Sequence, residues 1–97
     1  MINKDIKIKN LVINNNKAFT LIAGPCVIES KEHALKTADK LANICSDLEL
    51  EFIYKSSFDK ANRTSINSSR GPGLNESLEI FSAVKEKIGC PVITDIH

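Results

Sequence analysis

An alternation of short apolar segments with two longer amphipathic segments is the feature that most constrains the fold. Residues 19–23, 51–56 and 92–95 have the length and the β-branched and aromatic content of buried strands. The segments between them repeat apolar residues at intervals of three and four, which is typical of helices that bury one face. Strand, helix, strand, helix and strand with short connections predicts an α/β fold with a parallel sheet.

Local signals set the expected ends of both helices. Ser30 is a good N-cap for the first helix, which we expect to end near Asp47. The second helix is predicted to begin near Asn75 and to end before Gly89. The buried stripe expected for the first helix is Ala34, Leu35, Ala38, Leu41, Ala42, Cys45 and Leu48. The stripe expected for the second is Leu74, Leu78, Phe81, Val84 and Ile88.

The same pattern predicts only part of a larger domain. Right-handed crossovers place both helices on one face of the sheet, as at the start of a barrel. Eight such units need about 250 residues, and the chain has 97. We therefore expect residues 1–97 to be the N-terminal part of a single barrel domain. Within it, residues 1–17 form a hairpin and residues 18–97 form the first βα units, with roughly three strands and two helices.

Composition excludes several classes of protein. A net charge of +1 with 26% charged residues is unlike a nucleic-acid-coating protein. No stretch approaches the roughly 18 apolar residues of a membrane span. The N-terminus lacks the apolar core of a secretory signal, which predicts a cytoplasmic protein. The three cysteines form no Cys-x-x-Cys pair, which argues against a zinc ribbon or a disulfide framework.

Polar side chains follow each of the three predicted strands. They lie in residues 24–26, 55–57 and 95–97. Because the carboxyl ends of parallel strands meet at one edge of a sheet, these residues predict one shared site. The stretch 55–65 contributes three cations, several hydroxyls and an amide, a set that suits a small substrate with phosphate or carboxylate groups. The plainer alternative for this stretch is a solvated basic loop.

Four motifs resemble one enzyme family, in order from about residue 19 to 97. Residues 22–30, 55–65, 70–73 and 94–97 are similar to segments of 3-deoxy-D-manno-octulosonate 8-phosphate (KDO8P) synthases. The Ala-Gly-Pro-Cys opening is shared with the related DAHP synthases. Lys60-Ala61-Asn62-Arg63 is far more specific to the KDO8P branch.

The resemblance implies a (β/α)8 TIM barrel and a particular reaction. Phosphoenolpyruvate would condense with D-arabinose 5-phosphate and release inorganic phosphate, as a step of lipopolysaccharide Kdo biosynthesis. C3 of the enol attacks the sugar aldehyde, and water adds at C2 before phosphate leaves. The family's assembly implies a homotetramer, with neither nucleic acid nor membrane as a partner.

The resemblance also implies roles for individual side chains. Lys55 and Lys60 would offset the negative charges of phosphoenolpyruvate, and Ser57 would donate to its carboxylate. Arg63 would fork onto the sugar phosphate, with Thr64 as a further donor.

Three more side chains would complete this part of the site. Asn62 would bind the sugar hydroxyls. Asp95 and His97, at alternate positions of one strand, would handle protons or orient water beside Lys60.

Cys26 would be one ligand of a divalent metal, because the residue after Gly-Pro is cysteine in metal-dependent members. The remaining ligands, a histidine, a glutamate and an aspartate, would lie in later segments outside this chain. The metal would be zinc, iron, manganese or cadmium. The alternative is that Cys26 is a small buried hydrophobe.

Three rival functions stay open at this point. The first is a DAHP synthase that uses erythrose 4-phosphate, against which Lys60-Ala61-Asn62-Arg63 argues. The second is a non-catalytic fragment that binds phosphorylated metabolites. The third is a truncated product that does not fold stably, because a partial barrel leaves strand edges and apolar surface uncovered.

Overall fold

The computed structural model describes residues 4–8, 11–14, 18–58 and 73–96. These residues form five strands and two helices. In chain order the elements are β1 (Ile6–Ile8), β2 (Leu11–Ile13), β3 (Thr20–Ala23), α1 (Lys31–Asp47), β4 (Glu51–Lys55), α2 (Leu74–Ile88) and β5 (Val92–Ile93).

The strands form two separate sheets, as the sequence predicts. β1 and β2 pair antiparallel, which confirms the expected N-terminal hairpin strands. β3, β4 and β5 form a parallel sheet with β4 in the centre. Ile22 lies opposite Ile53, and Lys55 lies opposite Ile93. The described residues therefore form a mixed α/β structure. Its parallel sheet is built from two consecutive βαβ units, each with one helix between neighbouring parallel strands.

Helix α1 begins and ends where its capping residues predict. The Ser30 hydroxyl accepts a hydrogen bond from the His33 backbone N–H at 3.1 Å. This N–H lies in the first turn and has no acceptor within the helix. Ala34, Ala38 and Cys45 are buried, and Leu35, Leu41 and Ala42 are partly buried against the core, which confirms six of the seven positions of the expected stripe. Leu48 was expected on that stripe and is instead 63% exposed, because it lies past the last helical residue.

Helix α2 shows where the pattern was misleading. Gly89 ends it in the left-handed conformation with φ +80°, as a glycine there predicts. The expected burial of Leu74 and Leu78 is wrong, since both are about half exposed. α2 packs against α1 as well as β5, and Ile80 is buried in the core. Residues two apart lie on opposite sides of a helix, so Leu78 then faces away.

One face of the parallel sheet carries the core. Tyr54 is fully buried and meets Phe81 edge to face, with ring centroids 6.2 Å apart. Cys45 is buried, as its place on the stripe of the first helix predicts, and Cys90 is buried as well. The core cluster comprises Ile28, Ala34, Ala38, Cys45, Phe52, Tyr54, Ile80, Phe81, Val84 and Cys90.

The other face of the sheet is apolar at its centre, between Thr20 and Glu51 at one end and Lys55 at the other. Successive strand residues point to opposite faces of a sheet. Phe52 and Tyr54 point to the core face, so Ile22, Ile53 and Ile93 point to the other face. Ile22 and Ile93 are about half exposed. A parallel sheet that is apolar on both faces is typical of folds that cover both.

Neither described helix has the length and apolar character needed to cross a membrane.

Candidate functional site at the strand ends

Four of the sequence-predicted site residues gather at one edge of the parallel sheet. Cys26 follows β3, Lys55 ends β4, Ser57 follows it, and Asp95 follows β5. We call these four residues the strand-end cluster. Cys26 and Lys55 are exposed, and Ser57 and Asp95 are half-buried. At this edge, two strands end earlier than predicted, because regular pairing stops at Lys55 and Ile93.

An extra residue in the segment after β3 shapes this edge. Ala23 pairs with Tyr54, and the next parallel bridge joins Val27 to Ser57. Three residues, 24–26, therefore stand opposite two, 55–56. This arrangement is a β-bulge, which kinks a strand and redirects the side chains beside it. Gly-Pro ends β3 as the sequence predicts, and the next parallel bridge of this segment, at Val27, lies two residues after Pro25.

Gly24 is required because the two backbones approach closely at the bulge. A Cβ at this position would lie 1.9 Å from the Lys55 carbonyl oxygen, far inside van der Waals contact. Any other residue would push the end of β3 away from β4. Gly24 thereby fixes the separation of the two strands where the strand-end cluster begins.

Ser57 connects three segments of the cluster through hydrogen bonds. Its backbone N–H donates to the Cys26 carbonyl at 3.1 Å, and its own carbonyl accepts from the Ile28 N–H at 2.9 Å. Its side-chain hydroxyl donates to Asp95 Oδ1 at 2.7 Å. Ser57 is therefore held by its backbone on one side and by Asp95 on the other.

The Ser57–Asp95 contact constrains what Ser57 can do next. A serine hydroxyl has one proton to donate, and in this structure Asp95 receives it. The Ser57 backbone N–H is also engaged, by Cys26. A ligand carboxylate that takes a hydrogen bond from Ser57 must therefore displace Asp95 as acceptor. Any anion that accepted a hydrogen bond from the Ser57 hydroxyl would therefore change the hydrogen bonding of Asp95.

The three cysteines have different surroundings. Burial raises the pKa of Cys45 and of Cys90, which favours their neutral thiols. The Cys26 side chain is exposed at the strand ends, so the alternative of a small buried hydrophobe is wrong. An exposed thiol at this edge is chemically suited to act as one metal ligand. Within residues 4–8, 11–14, 18–58 and 73–96, no three His, Cys, Asp or Glu side chains gather as a metal site would require.

The remaining predicted site residues lie outside the described residues. These are Lys60, Asn62, Arg63, Thr64 and His97.

The sequence placed Ser56 within the polar stretch 55–57 but gave it no role of its own, and the structure shows that it is buried. Its hydroxyl donates to the Pro25 carbonyl at 2.7 Å, and its side chain is almost completely buried. A signal was present: alternation along β4 directs Ser56 to the same face as Tyr54. A polar side chain at a core-facing position implies a hydrogen-bond partner.

Comparison with known proteins assigns the chain to a family. A sequence profile of the DAHP synthetase I family matches residues 3–97. The chain therefore belongs to the DAHP synthetase I family.

Curated relatives of high identity carry one name. The chain is 56% identical over 94 residues to the 2-dehydro-3-deoxyphosphooctonate aldolase of Rickettsia felis and 57% identical over 94 residues to that of Rickettsia prowazekii. Each match covers 97% of this chain and 34% of the relative. The chain thus spans about a third of the length of the curated relatives that it matches.

Proposed function

We propose that the full-length protein is a KDO8P synthase, which condenses phosphoenolpyruvate with D-arabinose 5-phosphate and releases phosphate. The observation that carries the proposal is the identity of more than half over 94 residues to the 2-dehydro-3-deoxyphosphooctonate aldolases. The product of the condensation is the compound in that name. The polar strand-end cluster supports the assignment, because it offers donors and a carboxylate at one sheet edge.

We propose that the full-length fold is a TIM barrel, of which this chain forms the first strands and helices. Two observations support a barrel. Both helices lie between consecutive parallel strands, and the sheet face formed by Ile22, Ile53 and Ile93 is apolar. In a barrel that face packs inward, and the carboxyl ends of the strands form the active site.

Phosphoenolpyruvate would bind where β4 ends. Its carboxylate and phosphate repel each other, so fixed cations are needed. Lys55 would supply one charge from the strand end, and Lys60 would supply another. Ser57 would donate to the carboxylate after releasing Asp95, whose oxygen it now contacts at 2.7 Å.

Arabinose 5-phosphate would bind through the segment that follows. Arg63 would fork onto the phosphate and Thr64 would donate to it, while Asn62 would bind sugar hydroxyls. Asp95, freed from Ser57, would accept a proton or orient water, together with His97 and Lys60.

A divalent metal (zinc, iron, manganese or cadmium) would be held by Cys26. When bound, such an ion supplies Lewis-acid polarisation of an oxygen and orients substrate. The exposed Cys26 thiol fits one ligand position, and the histidine, glutamate and aspartate ligands would come from outside this chain. We further propose a cytoplasmic homotetramer.

The substrate pair tests the proposed function directly. Full-length protein would be incubated with phosphoenolpyruvate and either arabinose 5-phosphate or erythrose 4-phosphate, and phosphate release would be followed. We expect release with arabinose 5-phosphate only. Release with erythrose 4-phosphate only would establish the DAHP synthase alternative. Binding of either sugar phosphate without release would establish the non-catalytic alternative.

Chelation tests the metal role of Cys26. Exhaustive removal of divalent ions from full-length protein should abolish phosphate release, and a single added divalent ion should restore it. Activity that is unchanged after exhaustive chelation would rule out the metal.

The sugar-phosphate role of Arg63 has its own test. We expect Arg63→Ala to raise the KM for arabinose 5-phosphate about 10-fold more than the KM for phosphoenolpyruvate, since a forked, charged contact is lost. Equal increases in both values would reject this assignment.

A further inference from the structure

The buried hydroxyl of Ser56 lies at the centre of the bulge that shapes the strand-end cluster. Ser56 follows the last residue of β4 and is 2% exposed. Its hydroxyl donates to the carbonyl of Pro25, in the segment that follows β3, at 2.7 Å. Its backbone N–H donates to the Ile93 carbonyl at 3.3 Å, across to β5. A single residue thus bonds to the ends of both neighbouring strands.

The bulge explains why a side-chain donor is needed there. The segment 24–26 carries one residue more than the segment of β4 opposite to it. The Cys26 carbonyl accepts from the Ser57 N–H, but the Ser56 N–H points to β5. The carbonyl of Pro25 therefore receives its hydrogen bond from the Ser56 hydroxyl instead. Without this donor, a half-buried carbonyl would lose its partner at the kink.

We propose that Ser56 is a positioning residue: its hydroxyl fixes the bulge at residues 24–26 and so sets where Cys26 and Ser57 stand in the strand-end cluster. The Pro25 carbonyl belongs to the peptide unit that precedes Cys26, so holding it orients the backbone from which the thiol projects. Ser57 is the next residue after Ser56 and bonds back to the Cys26 carbonyl. Ser56 touches neither substrate nor metal in this proposal.

Ser77 provides a matched control for Ser56. It is the other described serine that is buried, with no exposed surface. Its hydroxyl has no hydrogen-bond partner among the residues that the structure describes. Ser77→Ala and Ser56→Ala therefore make the same chemical change in buried sites, and of the two only Ser56→Ala removes a hydrogen bond between described residues.

Amide hydrogen exchange of the full-length protein tests the proposal without reference to activity. The informative amides are those of Ile28 and Ser57, whose hydrogen bonds flank the bulge. We expect Ser56→Ala to speed their exchange about 5- to 10-fold, the effect of one lost hydrogen bond. The Leu50 amide, which bonds to Cys45 in the core, should be unchanged. Unchanged exchange at Ile28 and Ser57, or equal acceleration by Ser77→Ala, would overturn the role of Ser56.

Cobalt binding tests the consequence for Cys26, which rests on the proposed metal role. The probe is Co²⁺ added to metal-free full-length protein, with the thiolate-to-cobalt absorption band as the signal. Ser56→Ala should weaken Co²⁺ binding about 10-fold, as loss of an outer partner of a metal ligand commonly does, and Ser77→Ala should not. An equal affinity in both variants would contradict positioning of the thiol by Ser56.

These experiments distinguish a failure of the proposed metal role of Cys26 from a failure of the positioning role of Ser56. If the wild-type band is absent, or survives Cys26→Ser, the metal part of the proposed function fails. Amide exchange then decides the role of Ser56 by itself.

Discussion

The core beneath the helices and the strand-end cluster are held together by different forces. The core cluster packs apolar side chains between one sheet face and α1 and α2. The buried hydroxyl of Ser77 on α2 has no partner among the described residues. The strand-end cluster is held by hydrogen bonds from Ser56 and Ser57 to Pro25, Cys26 and Asp95. Apolar packing is non-directional, whereas these bonds fix atoms at defined distances. The core therefore supplies stability, and the cluster supplies geometry.

The largest expected effect is a loss of stability from the core. Ile80→Ala should lower the free energy of unfolding of the full-length protein by about 4 kcal/mol, because it leaves a cavity at a nearly fully buried position. Ile44→Ala is the matched control on α1, where the side chain is 53% exposed, and should cost about 0.5 kcal/mol or less. Urea unfolding measures both. Similar losses would show that α2 does not bury Ile80 as described.

A glycine at the bulge should be costly for a different reason. Gly24→Ala places a Cβ against the Lys55 carbonyl, and we expect it to lower the free energy of unfolding by about 3 kcal/mol. Gly89→Ala is the comparison: its φ is +80° but the space around it is open, so the expected cost is about 1 kcal/mol. Thermal unfolding distinguishes them, and a smaller cost at Gly24 would contradict the close approach of β3 and β4.

A double-mutant cycle measures the hydrogen bond within the cluster. Ser57→Ala, Asp95→Ala and the double variant should give a coupling free energy of about 1 kcal/mol, the typical net value for one such bond. Chemical denaturation of the full-length proteins supplies the four values. Additive effects would mean that Ser57 and Asp95 do not interact.

The last comparison between the two regions changes no residue and measures the reactivity of their cysteines. Brief alkylation of the folded, metal-free full-length protein at pH 8 should modify Cys26 at least about 10-fold faster than Cys45 or Cys90, because burial raises the pKa of the latter two thiols and blocks access to them. Mass spectrometry of peptides measures the rates. Comparable rates at all three would place Cys26 in the core.

Periodicity and capping predicted the order of elements, because these signals are local. Ser30 and Gly89 capped the helices as expected. Leu78 was misassigned because the direction of the buried arc of α2 depends on its contact with α1, which no local pattern contains.

The cluster was predicted only in part for a related reason. The polar residues after each strand predicted that Cys26, Ser57 and Asp95 lie at one edge of the sheet. The bulge and the role of Ser56 depend on register between strands that are about thirty residues apart in the chain, and a sequence pattern carries no register.

The turnover of Asp95→Asn tests most directly whether the strand-end cluster carries the chemistry. In full-length protein, with phosphoenolpyruvate and arabinose 5-phosphate, we predict that kcat for phosphate release falls about 100-fold, the usual contribution of a positioned acid or base. Its melting temperature should stay within a few degrees of wild type, and Ile44→Ala should retain full turnover. A kcat within twofold of wild type would contradict a catalytic role for this edge of the sheet.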